Sequence, residues 1–296
     1  MKKEKAFENR ASMDLSQYQV KKTSPVVAIV TYVLLGIWTL INLYPLFWLI
    51  IYSLKTNQEI TGSNPIGFPE KLMWSNYKEA LRPDRFNFLL YFKNSTIVAV
   101  LTIAITIFAA MMATYALTRL VWKGRKSVNS FFMLGLTIPM HAALIPIFMS
   151  VSKLGLKGTY WEIVIPYSAF ALSMAILICS GFMVEIPKDL DEAAYIDGCG
   201  SWGIFFKVIL PLMLPAFSTI GIYTFLQCWN EYMLASILPD CPKTLPLGIA
   251  QFTSGHNTEY GRRGAALVVS TLPILVVYAF LSNKIQEGMI AGAVKS

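Results

Sequence analysis

The sequence predicts an all-α integral membrane protein with six transmembrane helices, and three observations support this prediction. Of the 296 residues, 55% are hydrophobic and only 14% are charged, and the mean hydropathy is +0.53. A soluble globular chain carries about 25% charged residues and about 45–50% apolar ones. The apolar residues gather in six segments, each close to the roughly 20 residues that a helix needs to cross a bilayer. These properties exclude a disordered chain, a coiled coil and an ordinary soluble enzyme.

The six apolar segments are joined by polar loops and by one long connection. Pro139 and Pro146 lie within the third segment and predict a kinked or broken helix there. The connection 54–93 contains Gly and Pro turn signals, and we expect it to fold as a peripheral cap. The predicted spans are 26–53, 95–118, 131–152, 163–184, 209–236 and 264–283.

The distribution of Lys and Arg predicts that both termini are cytoplasmic. In that orientation the inner segments hold 14 Lys and Arg residues and the outer segments hold 11. Lys21 and Lys22 precede the first span, and four cations cluster without an acid in 119–130. The first apolar run is longer than the 7–15 residues of a signal peptide and is expected to be a retained anchor. The net charge of +8 therefore reflects Lys and Arg on cytoplasmic flanks that face anionic lipid, and nucleic acid is not an expected partner.

The inner loop 186–211 differs from the other loops in charge and in local pattern. Four of the 17 acids lie within nine of its residues, at Asp189, Asp191, Glu192 and Asp197. Acids in a first turn complement the helix dipole, and alanines favour a helix, so a short helix is expected here. Gly198 then ends that helix because glycine readily adopts a positive φ. The loop is predicted to form a helix, a sharp turn and a second helix.

The spacing within this loop resembles the signature of permease subunits from binding-protein-dependent ABC importers. That signature is Glu-Ala-Ala, three residues, Gly, nine residues, Ile, one residue and Leu-Pro. Val208 stands where the signature has Ile. The matching positions are Glu192, Ala193, Ala194, Gly198, Leu210 and Pro211.

Weaker motifs in the same order are similar to the maltose-type branch of carbohydrate permeases. They include Asn94-Ser95 at the head of the second span, Trp229-Asn230-Glu231 in the fifth, and the ending from Gly288 to Lys295. The resemblance implies an ABC importer permease fold in a bacterial-type inner membrane. It divides the chain into a cytoplasmic N-terminal extension (1–24), a first transmembrane helix with a long extracytoplasmic connection (25–93), and a permease transmembrane domain (94–296).

The resemblance also implies a set of partners. A second, homologous permease would enclose the translocation path, a cytosolic ATPase dimer would power it, and an extracytoplasmic binding protein would deliver a sugar or oligosaccharide. The coupling loop 186–211 would engage the ATPase through Asp189, Glu192, Asp197 and their neighbours, and the C-terminal tail would reach toward the same partner. The sequence contains no GxxxxGK[ST] loop, so ATP and Mg are expected on the partner ATPase, and this chain is expected to be neither an enzyme nor a cofactor carrier.

The fifth span carries a polar stripe at helical spacing. Polar groups are costly in hydrocarbon, so such a stripe lines a cavity or joins another helix. The stripe either forms part of the translocation path for a neutral sugar or contacts the partner permease. Glu231 is the only acid within an apolar segment, and we expect it to form a structural pair or a gate contact rather than a proton relay. The stripe consists of Thr219, Tyr223, Gln227, Asn230 and Glu231.

Other chemistries find little support in the residue pattern. The four cysteines are far apart and the two histidines lack nearby ligands, so no metal site is predicted and His141 is expected to be hydrogen-bonded at a kink. A gradient-driven secondary transporter is the main alternative. It would show intramembrane acids and inverted repeats. An intramembrane enzyme would need a nucleophile–base pair or a zinc pair in one cavity.

Overall fold

A computed structural model describes residues 24–82, 87–238, 240–252 and 258–293, with side chains described as far as residue 280. The N-terminal extension up to residue 23 and the last three residues, including the end of the predicted ATPase-contacting tail, lie outside the described residues. No strand occurs in the described ranges, as the sequence predicts. The chain divides into two compact units, at 1–49 and 50–296.

The first helix, α1 (Pro25–Ser53), contains 29 residues and no charged side chain. Its polar side chains hydrogen-bond within the helix. Thr31 Oγ1 donates to the carbonyl of Val27 at 2.8 Å, and Asn42 Nδ2 donates to that of Trp38 at 2.7 Å. Because hydrocarbon offers no other partner, internal pairing of this kind suits a membrane span.

The long connection after α1 folds into a short π-helical turn, Glu59–Ser63, and a helix, α2 (Ser75–Ala80). Thr56 Oγ1 accepts from the amide of Glu59 at 3.2 Å, and the Glu59 carboxylate accepts from the amide of Thr56 at 2.9 Å, which is a capping box. These bonds, with a further one from the amide of Glu70, lower the pKa of Glu59. Asn57 reaches the carbonyl of Thr258 at 3.1 Å, so the connection is tied to the segment before the last helix.

The remaining helices form the bundle that carries the polar sites. Their order includes a 3-10 turn at Met140–Ala143 and a π-helical stretch at Phe205–Ile209. They are α3 (Phe88–Thr118), α4 (Arg125–Leu134), α5 (Leu144–Lys153), α6 (Trp161–Glu185), α7 (Asp189–Ile196), α8 (Ser201–Ile204), α9 (Leu210–Leu212), α10 (Leu214–Asn230), α11 (Met233–Ile237), α12 (Leu245–Ala250) and α13 (Tyr260–Ala293).

The core of this bundle lies where α3 packs against α6 and α10, and α10 in turn packs against α13. It forms two buried apolar clusters. One surrounds Trp229 and Leu234 near the end of α10, and the other surrounds Met111, Ile176 and Phe205 near the loop 186–211. The first cluster supports the polar cavities described below, and the second, which we call the inner cluster, supports the loop 186–211.

The number of spans differs from a simple reading of the apolar segments. Within the described residues four helices, α1, α3, α6 and the first 21 residues of α13, are long and apolar enough to cross a bilayer. A fifth crossing results if the bent pair Ser201–Leu212 and Leu214–Asn230, which meet at 71°, forms one span. The third apolar segment contains α5 and part of α4, separated by residues 135–143, as its prolines predict. The six-span count stays a prediction.

Candidate functional site

The loop 186–211 presents α7 as a short exposed helix at the end of the bundle. Its first turn contains Asp189, Asp191 and Glu192, beside the positive end of the helix dipole. Ala194 is buried against the inner cluster, whereas Glu192 and Ala193 are exposed. Apolar side chains accompany the exposed acid, with Tyr195 at 73% and Ile196 at 83% exposure. This helix therefore has one attached face and one uncovered face.

Gly198 ends α7 in a Schellman motif, as its position in the sequence predicts. Its φ is +83°, which places it in the left-handed region. The amide of Cys199 donates to the carbonyl of Ala194 at 2.9 Å, and the amide of Gly198 donates to that of Tyr195 at 3.0 Å. A Cβ at this position would meet no atom within 4 Å, so the requirement for glycine is conformational and not steric.

The second half of the loop leads into the membrane through two proline-dependent breaks. Pro211 has no N–H, and just before it the amide of Leu210 donates to the carbonyl of Phe205, five residues earlier, which closes the π-helical stretch. Pro215 follows at the start of α10, after the bend at Met213. Leu210 packs against the inner cluster, whereas Pro211 is exposed. The Leu-Pro pair thus stands where the loop turns into the fifth span.

Arg119 joins the loop to the ends of two long helices, and sequence reasoning treated it only as a topology charge. It follows α3, and its side chain is 5% exposed. Nη2 donates to the carbonyls of Met183 at 3.1 Å and Ile186 at 2.7 Å, at the end of α6. Nε lies 3.4 Å from Oδ2 of Asp191 in α7. No local pattern relates Arg119 to Asp191, 72 positions later, so only the packing of α3 against α6 reveals this contact.

The fifth span ends earlier than the sequence predicts. The predicted segment 209–236 is interrupted after Asn230, where Glu231 adopts an extended backbone with ψ 125°. The Glu231 carboxylate accepts from the amides of Leu234 at 2.7 Å and Ala235 at 3.2 Å and therefore caps α11. Its Oε2 also accepts a short hydrogen bond from the Tyr167 hydroxyl of α6. These contacts give Glu231 a structural pairing.

Residues of the polar stripe line two different cavities. Tyr223, Gln227 and Glu231 line a cavity of about 340 Å³, which we call the histidine cavity because His141 of the 3-10 turn lies in its wall. In it, Gln227 Nε2 donates to the Tyr223 hydroxyl at 2.6 Å. Asn230 lines a different cavity and donates to the carbonyl of Leu226 in its own helix. Thr219 lines neither of these two cavities.

His141 and Glu231 face one cavity although 90 positions separate them. The 3-10 turn places the histidine there because the third apolar segment breaks before Pro139. Phe170 and Tyr167 of α6 complete an aromatic wall beside these polar groups. A cavity with hydroxyl, amide and aromatic groups can hydrogen-bond and stack against a polyol.

The Asn94-Ser95 pair has a structural place at the head of α3. Asn94 Nδ2 donates to the carbonyl of Lys243 at 3.0 Å, and its Oδ1 accepts from the Tyr160 hydroxyl at 2.7 Å. Ser95 Oγ accepts from the amide of Leu245 at 2.9 Å, at the start of α12. This motif therefore holds the segment before α12 against the bundle.

Cysteines and metal ligands are dispersed in the part of the chain that the structure describes. There, no group of three or more His, Cys, Asp or Glu side chains converges on one point. All four cysteines are free, and three of them are buried. Burial raises the pKa of Cys241, in the segment between α11 and α12, to about 12, so its thiol stays protonated and unreactive at neutral pH.

Comparison with known proteins identifies the family. A model of the binding-protein-dependent transport system inner membrane component family matches residues 105–291. The chain is 33% identical over 269 residues to a diacetylchitobiose uptake system permease protein of Streptomyces coelicolor, covering 90% of this chain and 88% of that protein. It is also 33% identical over 260 residues to a trehalose/maltose transport system permease protein of Thermococcus litoralis, covering 86% and 92%.

A solved structure has the same fold. It is a bacterial ABC transporter involved in the import of the acidic polysaccharide alginate, and its chain aligns with a TM-score of 0.73 and 24% identity, covering 89% of this chain and 98% of that one. The family model and the two relatives thus extend over most of the sequence, including the loop 186–211. The chain therefore belongs to the family of binding-protein-dependent transport system inner membrane components and is a permease subunit of an ABC importer.

Proposed function

We propose that this permease imports a carbohydrate and forms half of its translocation path. The relatives named above carry disaccharides according to their names, and their matches cover nearly all of this chain. Membership of the family replaces the alternative of a gradient-driven transporter, since an ABC importer is powered by ATP. Its partners are a second permease, a cytosolic ATPase dimer and an extracytoplasmic binding protein.

The observation that carries the coupling proposal is the exposed α7 closed by Gly198. The helix offers Glu192, Tyr195 and Ile196 to a partner while Ala194 and Asp191 attach its other side to the bundle. A rigid helix held in this way can transmit a push from the ATPase to the spans that flank it. ATP and Mg would be bound and hydrolysed on the partner, because this chain carries no phosphate-cradling GxxxxGK[ST] loop.

For the substrate path we assign the histidine cavity. Gln227, Tyr223 and His141 provide hydrogen-bonding groups, and Phe170 provides an aromatic face, which together suit the hydroxyls and ring of a neutral sugar. Glu231 also lines this cavity, but its carboxylate caps α11. The partner permease would supply the opposite side of the path.

Both termini are assigned to the cytoplasm. The basic segment 119–130 and the loop 186–211 lie at the same end of the bundle, because Arg119 contacts Ile186 and Asp191. The positive charge of that end is the feature that favours the cytoplasmic side.

The coupling role is tested with a matched pair of valine substitutions. Gly198→Val places a β-branched residue at φ +83°, which costs about 1–2 kcal/mol or more and disturbs the end of α7. Gly200→Val adds the same side chain two residues later, at φ −74° and in open space, and is the control. We expect Gly198→Val to reduce ATP-driven sugar uptake and ATPase stimulation in proteoliposomes, and Gly200→Val to leave both near wild type. Equal and undiminished transport by the two variants, with normal ATPase assembly, would overturn the coupling role.

A further inference from the structure

A second cavity lies beside the break between α10 and α11. Its volume is about 510 Å³, and its walls come from the end of α10, α12 and the first turns of α13. We call it the arginine cavity, because Arg263 is the only charged residue among the described residues that line it. It shares no lining residue with the histidine cavity.

The charge of Arg263 is not balanced within the cavity wall. Its neighbour Arg262 forms an ion pair with Glu259. Arg263 is half-buried, and the described part of the cavity wall contains no carboxylate. A guanidinium stays charged at every physiological pH, and a charge near a membrane span is costly unless a counter-charge or water reaches it. The cavity is therefore electropositive.

The Ser270 and Thr271 hydroxyls of the cavity wall can only accept hydrogen bonds from a ligand. Ser270 Oγ donates its hydrogen to the carbonyl of Ala266 at 2.7 Å, and Thr271 Oγ1 donates to that of Leu267 at 2.8 Å. A hydroxyl has one hydrogen, so each of these oxygens is left with only acceptor capacity. Asn230 uses one amide hydrogen on the carbonyl of Leu226 and keeps a second N–H and an oxygen. The wall thus combines the guanidinium group of Arg263 with acceptors for the hydroxyl groups of a ligand.

We infer that the arginine cavity binds an anionic group that carries hydroxyls beside it. Arg263 would bind the anion bidentately, and Ser270, Thr271 and Asn230 would accept from the adjacent hydroxyls. Two sources share this chemistry: a sugar acid in solution and the phosphate and glycerol of phosphatidylglycerol. The inference goes beyond the proposed function, because it requires no part of the histidine cavity.

The test uses the complete importer, with its partner subunits, in nanodiscs of phosphatidylcholine. In one arm sodium glucuronate is compared with glucose at equal ionic strength, and in the other phosphatidylglycerol replaces a third of the lipid. We expect one arm to raise the Tm of this subunit by about 2–4 °C, because a ligand that binds only the folded state stabilises it. A shift with glucuronate identifies a soluble sugar acid, and a shift with phosphatidylglycerol identifies a lipid headgroup.

Three variants locate the effect. Arg263→Gln should abolish the Tm shift, whereas Arg262→Gln, which removes the neighbouring cation outside the cavity, should retain it. Arg263→Lys keeps the charge but loses the planar fork, and should retain part of the shift even if Arg263→Gln fails to assemble. The inference is overturned if neither anion raises the Tm of the wild type, or if the Arg263 variants keep the full shift. Uptake of a neutral sugar by the same variants, reconstituted in proteoliposomes, reports separately on the proposed function.

Discussion

Removal of the Arg119 side chain should release α7 from the bundle. Arg119→Met keeps the aliphatic volume but loses two hydrogen bonds, to the carbonyls of Met183 and Ile186, and the ion pair with Asp191. Hydrogen bonds from a charged group contribute about 1.5–3 kcal/mol each, and removing one partner of a buried pair costs about 3–5 kcal/mol. The Asp191 side chain is still 19% exposed, so water compensates part of this loss. The expected cost of Arg119→Met is therefore at the lower end of this range, about 3 kcal/mol.

A loss of about 3 kcal/mol in the local stability of the segment from the end of α6 through α7 corresponds to an opening equilibrium constant roughly 100-fold larger. Amide hydrogen exchange of residues 189–199, measured in the assembled importer, reports this opening directly. Arg125→Met is the matched control, because the side-chain hydrogen bond that Arg125 makes among the described residues, to the carbonyl of Leu120, is long at 3.4 Å. Exchange in 189–199 that stays within about threefold of wild type in Arg119→Met would refute the role assigned to this contact.

Two further substitutions test the path and the outer connection. Gln227→Ala should raise the KM for sugar uptake by up to about tenfold, through loss of a hydrogen bond worth about 0.5–1.5 kcal/mol. Thr219→Ala, at a stripe residue that lines neither cavity, should leave the KM unchanged, and equal effects would contradict the assignment of the path. Glu59→Gln should lower the Tm at pH 7. The pKa of Glu59 is lowered in the folded state, so its contribution to stability is complete above the unfolded pKa of about 4.3 and disappears as the pH falls through the folded pKa. The curves of Tm against pH for the wild type and for Glu59→Gln should therefore converge in acid. Parallel curves would show that Glu59 is not responsible for the difference in Tm.

The loop 186–211 shows how far sequence reasoning reaches when the structure is local. The short helix, its acidic first turn and its end at Gly198 all follow from residues within a few positions of one another. The Schellman bonds need only a glycine at the correct place in the chain. The break in the third apolar segment follows in the same way from its prolines.

The polar stripe shows where this reasoning stops. Helical spacing placed Tyr223, Gln227 and Asn230 on one surface, but α10 ends at Asn230 and Glu231 turns to cap α11. The continuation of a helix beyond such a point depends on a competing contact, here the hydroxyl of Tyr167 in α6. Apolar composition did not reveal this contact, because both sides of the break are hydrophobic.

The sequence by itself determined the membrane environment, the helical class and the coupling-type loop, because each depends on composition or on spacing within one segment. Only the tertiary structure decided which distant residues share a site. Arg119 meets Asp191, His141 shares a cavity with Glu231, and Arg263 lies in a cavity wall with Asn230. These pairings arise from the packing of whole helices, and proximity between residues 33 to 90 positions apart leaves no periodic pattern in the chain.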